Sequence, residues 1–63
     1  MLQIKITLPD GSVREYKKGV TAAEVASDIG KRLAQDAVLA KVNGNVIDLS
    51  VPINEDSSLQ ILT

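Results

Sequence analysis

The stretch that decides the fold is LQIKITLPDGSVREYK, residues 2–17. Aliphatic side chains occupy every second position of residues 2–8 and polar side chains lie between them, which is typical of a strand with one buried face. Pro9 fixes φ and Gly11 accepts a positive φ, so the residues between the two strands are predicted to form a tight turn. The pattern therefore predicts a β-hairpin at the start of the chain.

The return strand of this hairpin is predicted over residues 13–17. Tyr16 is the one aromatic residue of the sequence, and we expect it to face the core, with Val13 on the opposite face. A sheet that a helix covers on one side leaves room for such an exposed valine.

A helix is predicted next, because residues 21–24 have the sequence of a capping box. In this motif Thr21 accepts a hydrogen bond from the Glu24 amide, and the Glu24 side chain bonds back to the Thr21 amide. Gly30 is expected to end the helix in the left-handed conformation, and residues 31–36 to form a short second helix. Four apolar residues fall on one face of the first helix and are expected to be buried: Ala22, Val25, Ala26 and Ile29.

The second half of the chain adds three predicted strands. Residues 38–42 form the third strand, and the Asn-Gly pair at 43–44 is a strong signal for a type I′ hairpin turn. Residues 46–47 form a short fourth strand. A polar segment follows, in which Pro52 prevents pairing inside a sheet, and residues 59–63 form the fifth strand.

The predicted order β-β-α-β-β-β is that of an α+β domain with the β-grasp (ubiquitin-like) fold. We expect one main helix packed on a mixed sheet of four to five strands, with the last strand at the centre and parallel to the first. Leu59, Ile61 and Leu62 have the apolar character that a central strand requires. A length of 63 residues allows a single domain, residues 1–63.

The composition excludes several classes of site and location. The sequence has no cysteine and no histidine, so disulfides, thiolate metal sites and imidazole ligands are excluded. A net charge of −1 gives no overall attraction to nucleic acid, and DNA is not expected as a partner. The sequence shows neither a run of about 20 apolar residues nor a signal peptide, so we expect a cytoplasmic protein without a membrane partner.

For each candidate catalytic or ligand-binding residue, a structural role explains the sequence better than a functional one. Glu24 and Asp28 lie four residues apart on the helix, but Glu24 serves the cap, and so small a domain has little volume for a cleft. The acidic loop 54–57 lacks the ligand pattern of a calcium loop. The glycines are scattered and lack phosphate-loop spacing. We therefore expect no catalytic, cofactor-binding or metal-binding residue in this chain.

A basic cluster is the remaining candidate site. Lys5, Arg14, Lys17 and Lys18 are expected to form a positive patch on the exposed sheet face, which could contact RNA or a protein partner. The alternative is an ordinary solvated surface whose charges protect edge strands. The scarcity of aromatic residues counts against a reader of single-stranded RNA.

Several short motifs resemble those of TGS domains, and together they cover essentially the whole chain. The resemblance is closest to the N-terminal domain of bacterial threonyl-tRNA synthetases. The segments that carry it are Leu8–Ser12, Val25-Ala26, Asp28–Gly30, Lys41–Gly44, Asp48–Ser50, Pro52-Ile53, Asp56 and Leu59–Thr63.

This resemblance implies an excised N-terminal fragment of an enzyme that activates threonine with ATP and attaches it to tRNA. ATP and zinc would then belong to the catalytic domain of the parent enzyme, and the fragment would be a non-catalytic accessory, regulatory or binding domain. Its expected partners are the other domains of the synthetase and tRNA.

Two alternatives remain open. The chain could be the TGS module of a GTPase or of a synthetase/hydrolase of guanosine tetraphosphate, or a free-standing β-grasp interaction module. A sulfur carrier is disfavoured, because such proteins need a Gly-Gly tail and this chain ends in Leu62-Thr63.

Overall fold

The structure is a computed structural model that describes residues 2–63. Its strands are β1 (Gln3–Thr7), β2 (Val13–Lys17), β3 (Val20–Thr21), β4 (Leu39–Val42), β5 (Asn45–Ile47), β6 (Pro52–Ile53) and β7 (Ser57–Leu62). Its helices are α1 (Ala22–Ile29) and α2 (Lys31–Asp36).

Five strands form one mixed sheet in the order β2-β1-β7-β4-β5. β1 and β7 are parallel neighbours at the centre, while β2, β4 and β5 pair antiparallel. The two short strands β3 and β6 pair with each other outside this sheet, so Pro52 does not interrupt it. The β-grasp prediction and the central, parallel position of the last strand are confirmed.

The core lies between α1 and the face of the sheet that α1 covers, which we call the inner face. The alternation of β1 places its isoleucines there, and α1 contributes small residues that let the helix approach closely. The buried apolar residues are Ile4, Ile6, Leu8, Val20, Ala22, Val25, Ala26, Ala40, Ile53 and Leu59.

Both predicted hairpin turns form as their residues require. In the first turn Gly11 has φ +89°, and the Leu8 amide donates to the Ser12 carbonyl at 2.8 Å. In the second turn Asn43 has φ +50° and Gly44 has φ +86°, which are the two positive values of a type I′ turn. These turns fix the register of β1 with β2 and of β4 with β5.

The helical segment confirms part of the prediction and corrects part. Thr21 Oγ1 accepts from the Glu24 amide at 3.2 Å, but within residues 2–63 the Glu24 side chain forms no return bond to Thr21. The prediction of a left-handed Gly30 is wrong: Gly30 is extended, with φ −177° and ψ 143°, because the chain turns there directly into α2. The prediction that Ile29 is buried is also wrong. Ile29 is 37% exposed, since the helix ends there at the rim of the sheet.

A polar clamp joins β2 to α1. Asp28 Oδ2 accepts a hydrogen bond from the Tyr16 hydroxyl at 2.8 Å and another from Arg14 Nη1 at 3.0 Å. The tyrosine ring packs against the core from its half-buried position, and Val13 is 56% exposed on the opposite face, as predicted. The clamp fixes the C-terminal part of α1 over the edge of the sheet.

Candidate functional site

The outer face of the sheet lies opposite α1, and no element among residues 2–63 covers it. Residues that are paired across neighbouring strands point to the same face, so the register assigns its members. β1 contributes Gln3, Lys5 and Thr7; β2 contributes Val13, Glu15 and Lys17; β7 contributes Ser58, Gln60 and Leu62; β4 and β5 contribute Leu39, Lys41 and Val46.

Two of the four predicted patch residues lie on this face. Lys5 and Lys17 point outward from neighbouring strands, and their register partners are Glu15 and Gln3. Lys18 follows β2 directly, and its amide donates to the Leu2 carbonyl at 3.1 Å.

Arg14 does not belong to the patch, so the prediction of a single surface with all four basic residues is wrong. Arg14 pairs with Ile6, whose side chain is buried on the inner face. Side chains alternate along a strand, so Arg14 shares the inner side with Tyr16. Its guanidinium is held by Asp28, and this hydrogen bond raises the pKa of Arg14 above its usual value.

Lys41 is a basic member of the outer face that the sequence interpretation missed. Ala40 is buried, so the neighbouring Lys41 points outward, and its register partner on β7 is Gln60. With Thr7 and Ser58 it lines a shallow groove of about 260 Å³, which we call the outer groove. A buried Ala40 requires that the next side chain on the strand points outward, so the alternation within Leu39–Val42 could have predicted that Lys41 lies on the outer face.

The charge of the outer face differs from that of the whole chain. The face carries three lysines and one glutamate, a formal charge of +2, whereas the chain has −1. Around Lys5 the positive field is weakened, because Glu15 lies opposite and Asp56 Oδ1 accepts from the Lys5 amide at 2.8 Å. Lys17 and Lys41 therefore dominate the electrostatics of this surface.

The carboxylates with shifted pKa values are suited to accept stabilising hydrogen bonds rather than to transfer protons. The Tyr16 hydroxyl, and after it Arg14, lower the pKa of Asp28. The Ser12 hydroxyl lowers the pKa of Asp10, and the Ser50 amide lowers that of Asp48. Each of these groups stays ionised near neutral pH, which is the opposite of what a general acid requires.

Residues 2–63 show neither a cluster of metal ligands nor a glycine-rich phosphate loop. Residues 2–63 bring together no group of three possible metal ligands. The glycines with positive φ, at 11, 19 and 44, lie in separate turns, so they form no phosphate-binding loop.

Helices long and apolar enough to cross a bilayer are absent from residues 2–63.

A family model of the TGS domain matches residues 4–63. Among curated proteins, the threonine–tRNA ligase of Parabacteroides distasonis is 58% identical over 59 residues, covering 94% of this chain and 9% of that protein. The ligase of Phocaeicola vulgatus is 62% identical over 55 residues, covering 87% of the chain and 8% of the protein. That of Ligilactobacillus salivarius is 52% identical over 63 residues, covering 100% and 10%. The chain thus spans about a tenth of the length of these relatives.

Among solved structures, a computationally designed protein based on human erythrocytic ubiquitin has the same fold. Its TM-score is 0.58 at 27% sequence identity, and the alignment covers 100% of this chain and 94% of that one.

Proposed function

This chain belongs to the TGS domain family, and we propose that it is the non-catalytic N-terminal domain of a cytoplasmic threonine–tRNA ligase, which it serves as a binding module. The 52–62% identity to ligases supports this assignment over a GTPase or a guanosine tetraphosphate enzyme. ATP and zinc are assigned to other parts of the ligase, and residues 2–63 bring together no three possible ligands for a zinc ion.

The outer face is the part of this domain that contacts tRNA in the proposal. The observation that carries it is the charge of that face, to which Lys5, Lys17 and Lys41 contribute. Lysine ammonium groups neutralise phosphates and release counterions, which is the main source of affinity for a nucleic-acid backbone.

The contact is directed to the backbone of the RNA rather than to its bases. Tyr16, the single aromatic residue, lies on the inner face, so nothing on the outer face can stack on a base. Thr7, Ser58 and Gln60 place hydroxyl and amide groups beside Lys41, and such groups bond to phosphate and ribose oxygens. Binding is therefore expected to depend on salt and to be largely independent of sequence.

Charge reversal in the full-length ligase tests this proposal. The variant Lys17→Glu/Lys41→Glu is compared with Lys31→Glu/Arg32→Glu, which makes the same change of charge on α2. The outer-face variant is expected to raise KM for tRNA and to reduce the slope of log KM against log salt by about 1 for each lysine. ATP–pyrophosphate exchange with threonine should be unchanged in both variants, because the domain takes no part in activation.

Two results would contradict the proposal. If the two charge reversals change KM for tRNA equally, the effect comes from the net charge of the domain rather than from a contact at the outer face. A loss of pyrophosphate exchange in the outer-face variant would show that the domain is not a separate binding module.

A further inference from the structure

One edge of the central strand β7 has no neighbouring strand along residues 59–62, which are four of its six residues. β1 pairs with β7 only at Ser57 and Ser58, whereas β4 pairs with it from Leu59 to Leu62. β1 cannot continue alongside, because Pro9 has no N–H to donate and the chain turns away there. The free edge therefore begins at Leu59.

The backbone groups of Ile61 point to this free edge. The Ser58 carbonyl accepts from the Asn43 amide at 3.1 Å, and the Leu62 carbonyl accepts from the Val38 amide at 2.8 Å. Both bonds lie on the β4 side, and the direction alternates along a strand, so the N–H and C=O of Ile61 face away from β4. Within residues 2–63 no strand pairs with them.

An apolar groove of about 280 Å³ runs beside the free edge, and we call it the edge groove. The hairpin turn forms one wall, the two helices form the other, and β7 forms the floor. Its lining residues are Leu8, Pro9, Asp10, Ile29, Leu33, Leu59 and Ile61. Ile29 and Ile61 have the helical and strand periodicity of core residues, yet Ile29 is 37% exposed and Ile61 is only partly buried.

We propose that an extended aliphatic segment of the same polypeptide, outside these 63 residues, pairs with the free edge of β7 and buries its side chains in the edge groove. The segment adds a strand by bonding to the N–H and C=O of Ile61, and its alternate side chains enter the groove. This inference rests on the proposed ligase, in which about nine tenths of the polypeptide lies outside the domain.

The size of the groove favours a tethered occupant over an independent protein. A groove of about 280 Å³ lined by seven residues takes only a small part of a protein surface, whereas a stable interface between separate proteins buries about 800 Å² on each partner. A segment of the same chain needs no such area, because its effective concentration reaches the millimolar range. Asp10 lies at the rim, and its carboxylate favours a lysine or arginine next to the aliphatic side chain.

Photo-crosslinking in the full-length protein identifies the occupant. Ile29 is replaced by p-benzoylphenylalanine, and Val46, 56% exposed on the outer face, is replaced in the control. The probe at position 29 is expected to crosslink to a peptide of the same polypeptide outside residues 1–63, and the probe at position 46 is not. The absence of a crosslink at 29, or a crosslink to a second protein, would overturn the inference.

Hydrogen exchange gives a second readout. In the full-length protein the Ile61 amide should be protected, and Leu33→Glu, which places a charge in the groove, should speed its exchange by about tenfold or more. Ile6 is buried in the core, and unchanged exchange there shows that the domain remains folded. Fast exchange at Ile61 in the unmodified protein would refute strand addition.

The proposed RNA contact of the outer face and the proposed strand addition at β7 can each be refuted without refuting the other. Reversal of the outer-face lysines tests the RNA contact through KM for tRNA, while the groove experiments do not depend on RNA. A protein without threonine-charging activity that still gives the crosslink would remove the ligase assignment and leave the strand addition standing.

Discussion

Replacing Ile6 by alanine is expected to destabilise the domain much more than replacing Ile29, although the sequence gives both residues the periodicity of a core. Ile6 is fully buried, at 0% exposure, between the sheet and α1. Ile29 is 37% exposed and lines the edge groove. The two variants remove the same atoms from the same residue type, so their difference reports burial.

The magnitudes follow from burial and cavity formation. Truncating isoleucine to alanine removes three carbons at about 0.8 kcal/mol each, and a cavity at Ile6 raises the loss to about 2–5 kcal/mol. At Ile29 no closed cavity forms, and alanine gains up to about 0.5 kcal/mol of helix propensity, so the loss is about 1 kcal/mol. A domain of this size has a total stability of about 3–9 kcal/mol, so only Ile6→Ala is expected to unfold a large part of the population.

Urea unfolding of the 63-residue domain checks this prediction, with the free energy extrapolated to water. Val13→Ala is the surface control, since Val13 is 56% exposed, and it should change stability by less than about 0.5 kcal/mol. Equal losses for Ile6→Ala and Ile29→Ala would refute the reasoning, because they would place Ile29 in the core of the isolated domain. A larger loss for Ile29→Ala in the full-length protein than in the domain would support the occupied groove.

Three further outcomes follow from single contacts. Gly44→Ala should lower the free energy of unfolding by about 1–2 kcal/mol, because Gly44 has φ +86°. Gly30→Ala should change it little, since Gly30 is extended with open space around it, and thermal unfolding measures both variants. The pKa of Asp28 is lowered in the folded state, so the ionised carboxylate stabilises the fold above the unfolded pKa near 3.9, and this stabilisation is lost as the pH falls through the folded pKa. In Asp28→Asn the urea midpoint should therefore depend less on pH below about pH 4. Burial and the Asp28 carboxylate raise the pKa of Tyr16, so its phenol should ionise above the usual pH of about 10 in a spectroscopic titration, and Asp28→Asn should bring that value down.

The sequence predicts most of the fold, because the deciding signals are local. Alternation in residues 2–8 and the positive-φ residues of the two turns determine β1 and both hairpins. The pairing of β3 with β6 was not predicted. Two residues per strand carry no periodicity, and only the tertiary structure brings Val20 next to Ile53.

The candidate site was predicted less well, and Arg14 shows why. An inward Tyr16 requires an inward Arg14 two residues earlier on the same strand, so the alternation rule already excluded Arg14 from the outer face. A basic residue on the inner side is stable here because β2 is the edge strand and Asp28 reaches it from α1. That partner is known only once the helix is placed over the sheet.

The residues that the sequence marks as core but the fold leaves exposed or only partly buried form the surface to which the proposed strand addition is assigned. A β-grasp of this size has one inner face, and α1 with the β3–β6 pair covers most of it. Ile29, Leu33 and Ile61 lie beyond that cover, beside a strand edge with unpaired backbone groups. An apolar wall and a free strand edge each favour association, and exposed together they are a liability for an isolated protein. The proposed segment of the same polypeptide would satisfy both features at once, and it would leave the lysines of the outer face free for the proposed RNA contact.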